Sequence, residues 1–517
     1  MRGGFKENEM SNKALHKRLT VNSFSNMFRY FVYMGVTFFI TPFIIRNIGD
    51  SHYGLWLVVI SVIGYAGLLE MGIQSAVIKL VAEFKASGDD EKVNRTVVTA
   101  SVFFLMVGAC VTAFSWLVLP HFLDYFVKDP AWIKLGSELV MVLSIDMLIV
   151  FQGYVFTGMI YGLQLYFVKN IIDIAASAMY AALVYLFLTG GGGIYALAVI
   201  KTCLDALAVV VFYILCRKSH EGFRFSLKYA GVATFRSIMT LGGKIFTSAT
   251  MARIANNADP LIISYFLSTF WASIFSIPKR LLDYMREITW TITTGFMPAF
   301  SDLHGRNDVE GIRSIYINYT RYILIATLPM LVMVFVYGET FIGLWIGPEY
   351  AEKGAPVLYL LGAAFAVEAI QPLLWKLFIG TGDLNSLVKT FSITALLYIA
   401  LSSLFASRYG IGGLAASALV VTVINQVFYL RHSCRYLGVT VPGFLKECHL
   451  MPFAAAAAFG GAAWYLGVLF PVDSYLGIMA QALCAAPVYV LTAYFFTLKS
   501  HEKIFLQAKA RGLLSFS

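Results

Sequence analysis

Apolar runs of about twenty residues recur along this chain from residue 21 to residue 497, separated by short polar segments. A helix rises 1.5 Å per residue, so a run of about 20 residues spans the roughly 30 Å hydrocarbon core of a bilayer. The pattern predicts fourteen spans: 21–44, 53–72, 96–119, 137–159, 166–188, 193–215, 236–264, 271–298, 316–338, 355–379, 387–406, 411–433, 449–469 and 475–497. One of them is unlike the rest. The stretch 271–298 holds Lys279, Arg280, Asp283, Arg286 and Glu287. Arg280, Asp283 and Glu287 fall at i, i+3, i+7, so they share a helical face that Thr291 and Thr294 continue. A charge in hydrocarbon is costly, so such residues face a bundle interior or a water-filled cavity. The alternative is a loop at 278–287. It would leave only 288–300 for the next span, which is short for a membrane.

Composition fits the spans. Of the 517 residues, 59% are hydrophobic and only 13% charged, and the mean hydropathy is +0.74. Soluble domains carry about a quarter charged residues, and no stretch here is left over for one. The expected fold class is an all-α polytopic membrane protein. Cys110, Cys203, Cys216, Cys434, Cys448 and Cys484 show no CxxC spacing, so they read as small core residues and not as a disulfide or metal framework. The net charge of +10 fits basic cytoplasmic loops better than nucleic acid. The opening segment, 1–20, is basic and polar and shows no apolar core with a cleavage site, so no cleaved signal is expected.

Lysine and arginine placement orients the spans. With the N-terminus inside, and cations within about five residues of a span's inner end counted with the inner side, 27 of these residues fall on the inner side, five in outer loops and seven deeper within spans. That asymmetry puts both termini in the cytoplasm.

The two halves also resemble each other at an offset of about 218 residues. Pro42-Phe43-Ile44-Ile45 meets Pro260-Leu261-Ile262-Ile263, and the turn at 85–90 meets the turn at 303–308. Pro130 meets Pro348, and Gly162 meets Gly380. The constant offset implies two pseudo-repeated six-helix bundles, 21–216 and 236–434, joined by a linker at 217–235. Two further helices, 446–498, and a tail, 499–517, follow. The repeat maps 271–298 onto what reads as an uninterrupted span near 53–80, which favours the helix over the loop. Transporters built from repeats bind cargo near mid-membrane at the repeat interface.

The intramembrane cations concentrate in spans 1, 7 and 8. Span 1 carries Asn22, Asn26, Arg29 and Tyr33 at helical spacing. Span 7 carries Lys244 and Ser248 on one face and Arg253 near the opposite one. Span 8 adds Lys279, Arg280 and Arg286. Each is either a cargo contact or half of a structural ion pair. Asp283 and Glu287 stand one turn from Lys279 and Arg286, and could neutralise them. Lys201 and Asp205 at i, i+4 read as an internal pair, and Glu70 as a structural residue at a break in the helix pattern. Asp146 and Glu368 are candidate proton carriers, with Asp283 and Glu287 as further coupling acids. Arginine's planar fork suits phosphate. The sequence holds no phosphate-cradling glycine motif, metal-ligand cluster or nucleophile constellation, so neither a cofactor nor catalysis is expected.

Short motifs carry a resemblance. They are Pro42, Gly49-Asp50-Ser51-His52-Tyr53-Gly54-Leu55-Trp56, Gly64-Tyr65 and Leu69-Glu70-Met71-Gly72-Ile73. Pro298-Ala299-Phe300-Ser301, Gly305-Arg306-Asn307-Asp308 and Leu344-Trp345-Ile346-Gly347-Pro348-Glu349-Tyr350 continue them. In order and spacing these resemble the polysaccharide-transporter family of the multidrug/oligosaccharidyl-lipid/polysaccharide (MOP) flippase superfamily. The resemblance implies a V-shaped, two-lobed bundle. It also implies a flippase for an undecaprenyl-pyrophosphate-linked oligosaccharide, an O-antigen or exopolysaccharide unit, in the bacterial inner membrane. Related flippases of the peptidoglycan precursor have cavity arginines in the first and eighth helices, which Arg29 and Arg280 match. Two positions depart from the family: Ser268-Thr269 replaces a glycine common before span 8, and Glu70 replaces an aspartate.

The partners expected are the lipid-linked oligosaccharide, membrane lipids and other polysaccharide assembly proteins, with no nucleic acid. Two rivals belong to other classes. A small-molecule antiporter of the same superfamily would need an acidic cavity, whereas these charges are mostly basic. A membrane polymerase or ligase would need a sizeable outer loop gathering catalytic groups. The orientation makes a direct prediction: cysteines placed at Gly191 and Asp473 label from outside intact cells, and those at Ser226 and Lys503 only after permeabilisation. Outside labelling of Ser226→Cys would invert the topology.

Overall fold

The structure is a computed structural model. It describes all residues except 1, 71, 119–122, 124, 128–129, 501 and 505–517, and for 2–24, 130–131, 243–256, 384–385 and 387 the backbone alone. The described residues form helices and turns, with no strand. Ten helical stretches among them are long and apolar enough to cross a membrane. The chain is an all-α, multi-pass membrane protein.

The chain packs as two compact units, Met1–Ser273 and Ile274–Ser517. In the first, α1 (Arg2–Ile48) packs along α6 (Tyr166–Thr189). The central helix α5 (Pro130–Gly162) packs against α3 (Ile73–Ala86), α4 (Asp90–Leu117) and α7 (Gly193–Ser219). Helix α8 (Val232–Phe266) packs on α2 (Asp50–Ala66) and α3. The second unit begins within the first turns of α9 (Thr269–Thr293), which α10 (Phe296–Gly305) follows. There α11 (Val309–Trp345) packs on α12 (Pro348–Glu368) and α16 (Leu450–Leu469). The short α13 (Leu374–Gly380) lies against α10, and α14 (Leu384–Tyr436) against α12. Helix α15 (Val441–Cys448) precedes α16, and α17 (Tyr475–Thr492) packs on α16.

Several helices start earlier than their apolar runs, because polar turns cap them. Gly88 adopts φ 71° and Asp89 then accepts a hydrogen bond from Lys92 N at 3.0 Å, starting α4. At the matching place in the second half, Asn307 adopts φ 57° and Asp308 accepts from Gly311 N at 2.8 Å, starting α11. The two turns are thus one device used twice, as the offset in sequence implies. Kinked α14 covers two predicted spans, with Gly410 at φ 64° between them.

The stretch 278–287 is helical throughout, inside α9, so its five charges lie on a helix and not in a loop. The expected uninterrupted span near 53–80 is instead broken. Helix α2 ends in a 3₁₀ turn, Gly67–Glu70, and α3 begins after Gly72. Gly72 has φ 69°, and a Cβ there would stand 2.5 Å from Gly242 O, so only glycine fits. Glu70 caps the new helix by accepting from Gln74 N at 2.9 Å and Gly72 N at 3.2 Å. The span predicted at 355–379 breaks too, at 369–373. Backbone groups freed within a membrane need partners inside the protein. Gln426 donates to Val367 O and His449 Nε2 bonds Ile370 O, both at 2.8 Å. Gln371 Oε1 accepts from Tyr316 at 3.0 Å and Ser433 at 2.9 Å.

Close approach of α2 to the start of α9 rests on Gly54. A Cβ there would stand 1.7 Å from Thr269 O. Gly54→Ala is therefore expected to destabilise the purified protein by about 3 kcal/mol or more, at the upper end of overpacking. Gly461→Ala, with nothing within 4 Å of its added Cβ, should leave thermal unfolding unchanged. Equal stability of the two variants would refute the contact.

Candidate functional site

Helix α1 meets α6 through polar side chains. Asn170 Nδ2 donates to Ser25 Oγ at 2.9 Å and Asn26 Oδ1 at 2.7 Å. One turn on, Arg29 Nη1 lies 3.4 Å from Asp173 Oδ2. Asp173 Oδ2 also accepts from Lys169, one turn back on α6. Two cations therefore share one carboxylate, and the cluster keeps a net positive charge. Arg29 stacks on Tyr30 at 4.6 Å, and its buried Nε takes part in no hydrogen bond among the described residues. The arginine is thus held in place without being neutralised. Of the predicted span 1 stripe, Asn26 and Arg29 meet α6, Tyr33 is about half exposed, and the Asn22 side chain lies outside the described residues.

The opposite balance appears at α5 and α7. Lys201 Nζ bonds Asp146 and, at 2.6 Å, Asp205. The expected Lys201–Asp205 pair is present, and Asp146 joins it from another helix. Asp146 is 3% exposed, and its second oxygen, Oδ1, accepts no hydrogen bond among the described residues. Here two carboxylates surround one ammonium.

In the second unit, α9 carries the charged stripe. Arg286 donates to Asp283 at 2.8 Å and, through Nε, to Glu368 of α12 at 3.0 Å. Its guanidinium also stacks on Phe365, 5.7 Å from the ring centroid. Arg286 and two candidate coupling acids thus form one network, in which the guanidinium is fully matched. Lys279 and Arg280 are half-buried on the same helix. Glu287 lies within electrostatic range of Asp283 and Arg280, and its buried Oε2 accepts no hydrogen bond among the described residues. The side chains of Lys244 and Arg253 lie outside the described residues.

Sequence reasoning passed over three cations. Lys169 reads as a loop charge, although its i, i+4 spacing to Asp173 could have revealed the pair. Arg321 is 3% exposed and bonded to Glu502, a partner 181 residues away that no local pattern discloses. Lys376 sits at the end of a predicted span, and only the break at 369–373 brings it into the packing of α13.

Residues 43–354, more than half of the chain, match the family of polysaccharide biosynthesis proteins. The chain belongs to this family. It is similar to a Shigella flexneri protein named as an O-antigen transporter, with 21% identity over 78% of this chain and 95% of the relative. It is also 21% identical to the membrane protein EpsK of Bacillus subtilis strain 168, over 94% of this chain and 97% of the relative. Among solved structures, the lipid II flippase MurJ in its inward closed conformation aligns with a TM-score of 0.74 at 13% identity. That match covers 92% of this chain and 98% of MurJ. An inward-facing multidrug resistance MATE transporter of the MOP superfamily aligns with a TM-score of 0.66 at 13% identity, covering 81% and 95%. These likenesses show a shared fold. The match of this family member to MurJ takes in nearly all of both chains.

The Arg286 network predicts a stability phenotype. Arg286→Gln leaves Asp283 and Glu368 facing each other without a cation. Because the network is partly open to solvent, the expected loss is about 1–2 kcal/mol, below that of a fully buried pair. Adding Asp283→Asn and Glu368→Gln should restore the unfolding temperature. A triple variant no more stable than Arg286→Gln would show that the network does not hold α9 to α12.

Proposed function

We propose that this protein is a flippase that moves an undecaprenyl-pyrophosphate-linked oligosaccharide, an O-antigen or exopolysaccharide unit, across the bacterial inner membrane by alternating access. Both termini lie in the cytoplasm, and helices 21–216 and 236–434 act as its two repeats. The observation that carries the reading is the α1–α6 cluster. Arg29 and Lys169 share a single aspartate, so a membrane helix pair keeps a positive charge. A pyrophosphate leaving the head-group region loses water, and fixed cations can replace that stabilisation. Arg29 and Arg280 are assigned to the pyrophosphate, with Lys279, Lys244 and Arg253 in support. Arg286, matched by two carboxylates, is the weakest of the cargo candidates. Membership of a polysaccharide biosynthesis family supports a saccharide cargo. The names of the O-antigen transporter and the lipid II flippase support a lipid-linked one. Other polysaccharide assembly proteins are its expected partners.

A second reading is a cation-coupled small-molecule antiporter. Asp146 and Asp205 around one lysine favour it, because a net acidic cluster attracts protons or cationic compounds. In the flippase reading the same cluster supplies the coupling acid, Asp146.

Arg29→Ala and Arg280→Ala are each expected to stop flipping while the protein still inserts and reaches the parent level. Arg280→Lys should be partly active, because lysine keeps the charge and loses the bidentate fork. The measurement is build-up of lipid-linked intermediate on the cytoplasmic side at matched protein level. Normal flipping in both alanine variants would remove the cation assignment, and no build-up in cells lacking the protein would favour the antiporter.

A further inference from the structure

Lys376 is 5% exposed, and its ammonium lies 3.3 Å from the ring centroid of Trp290. Among the described residues it meets no carboxylate. Among the described residues of this unit, buried Arg321 has Glu502, and half-buried Arg286 has Asp283 and Glu368. A lysine that serves only packing would be better replaced by an apolar chain of equal length, since burying an ammonium without an anion is unfavourable. Its placement is nevertheless firmly built. Helix α13 starts straight after the break at 369–373, which Gln371, Gln426 and His449 fasten. Leu373 and Leu377, on either side of Lys376, lie in the core with Phe300.

The ring beneath the ammonium adds a second observation. Trp290 stands four residues after Arg286 and three after Glu287, so it continues the charged face of α9. It is also 52% exposed, so the ring that covers the ammonium lies at the edge of the packed core. An indole face attracts a cation, covers one side of it and leaves its N–H donors for an anion. Lysine binds phosphate as a point charge and needs no planar fork.

We infer that Lys376, seated on Trp290, is a binding residue for the phosphate-bearing part of the cargo, an addition to Arg29 and Arg280. The inference rests on the flippase reading. A phosphoanion could come from the cargo or from an anionic bilayer lipid, and we assign it to the cargo. Trp290 provides the reporter, since Trp290→Phe removes its share of the fluorescence from the eight tryptophans.

The test uses the full chain in phosphatidylcholine nanodiscs, titrated with a short polyprenyl diphosphate, the parent polyprenol and inorganic pyrophosphate. A further set of discs contains phosphatidylglycerol. Lys376→Met should bind the polyprenyl diphosphate about tenfold more weakly, near 1.4 kcal/mol, with its polyprenol affinity unchanged. Lys376→Gln, neutral but able to hydrogen-bond, should show the same loss, and Lys376→Arg should keep most of the affinity. Without ligand, Lys376→Met should unfold at or above the parent temperature. The diphosphate signal should be absent in Trp290→Phe and unaffected by phosphatidylglycerol. Parent-like diphosphate binding by Lys376→Met, alongside weak binding by Arg29→Ala, would make Lys376 a packing residue and leave the flippase reading standing. Competition by phosphatidylglycerol would assign the position to bilayer lipid and overturn the inference alone. A parent protein that does not distinguish diphosphate from polyprenol would overturn both.

Discussion

A cation inside a membrane protein needs a partner there, whether an anion, a backbone carbonyl or an aromatic face, because hydrocarbon solvates it poorly. That constraint sorts the charged residues of this chain. Arg321 is answered by Glu502, and Arg286 by Asp283 and Glu368. Lys201 is answered twice, by Asp146 and Asp205. At α1 and α6 the count runs the other way, with Arg29 and Lys169 on one aspartate. Matched charges need only structure to explain them. Unmatched ones are where a charged cargo or a coupling ion would restore the balance.

The same lack of water governs the backbone. Both broken spans carry their own remedies in side chains. Glu70 supplies acceptors for the first N–H groups of α3, and Gln426 and His449 supply partners for the carbonyls that end α12. After the second break, α13 carries Lys376, whose ammonium lies over the ring of Trp290. Glu70 is therefore a cap.

The fold was legible because hydrophobic run length answers directly to bilayer thickness. The turns at Asp89 and Asp308 were legible as a repeated motif, and both prove to be the same helix cap. The first break was legible only as a disturbed helix pattern at Glu70, and the second was not read at all. The groups that stabilise the second break come from residues 55 to 79 positions away. The candidate site was legible in residue type, since arginines in apolar runs are conspicuous. Which of them are neutralised was not, because local spacing offered Asp283 to Arg286 but could not offer Glu368, nor Asp173 to Arg29.

That distinction changes how the arginines of α1 and α9 compare. Sequence alone ranks them together, as fixed cations on membrane helices. With partners assigned, Arg286 is held by two charge-assisted hydrogen bonds, and turning it toward a phosphate would strand two carboxylates. Arg29 needs no such exchange. Its one anion is already shared with Lys169, so a phosphate approaching Arg29 leaves Asp173 with a cation in hand. A residue that can bind and release cargo repeatedly must not uncover a buried charge each time it does so. Arg29 meets that requirement through Lys169, which keeps Asp173 paired.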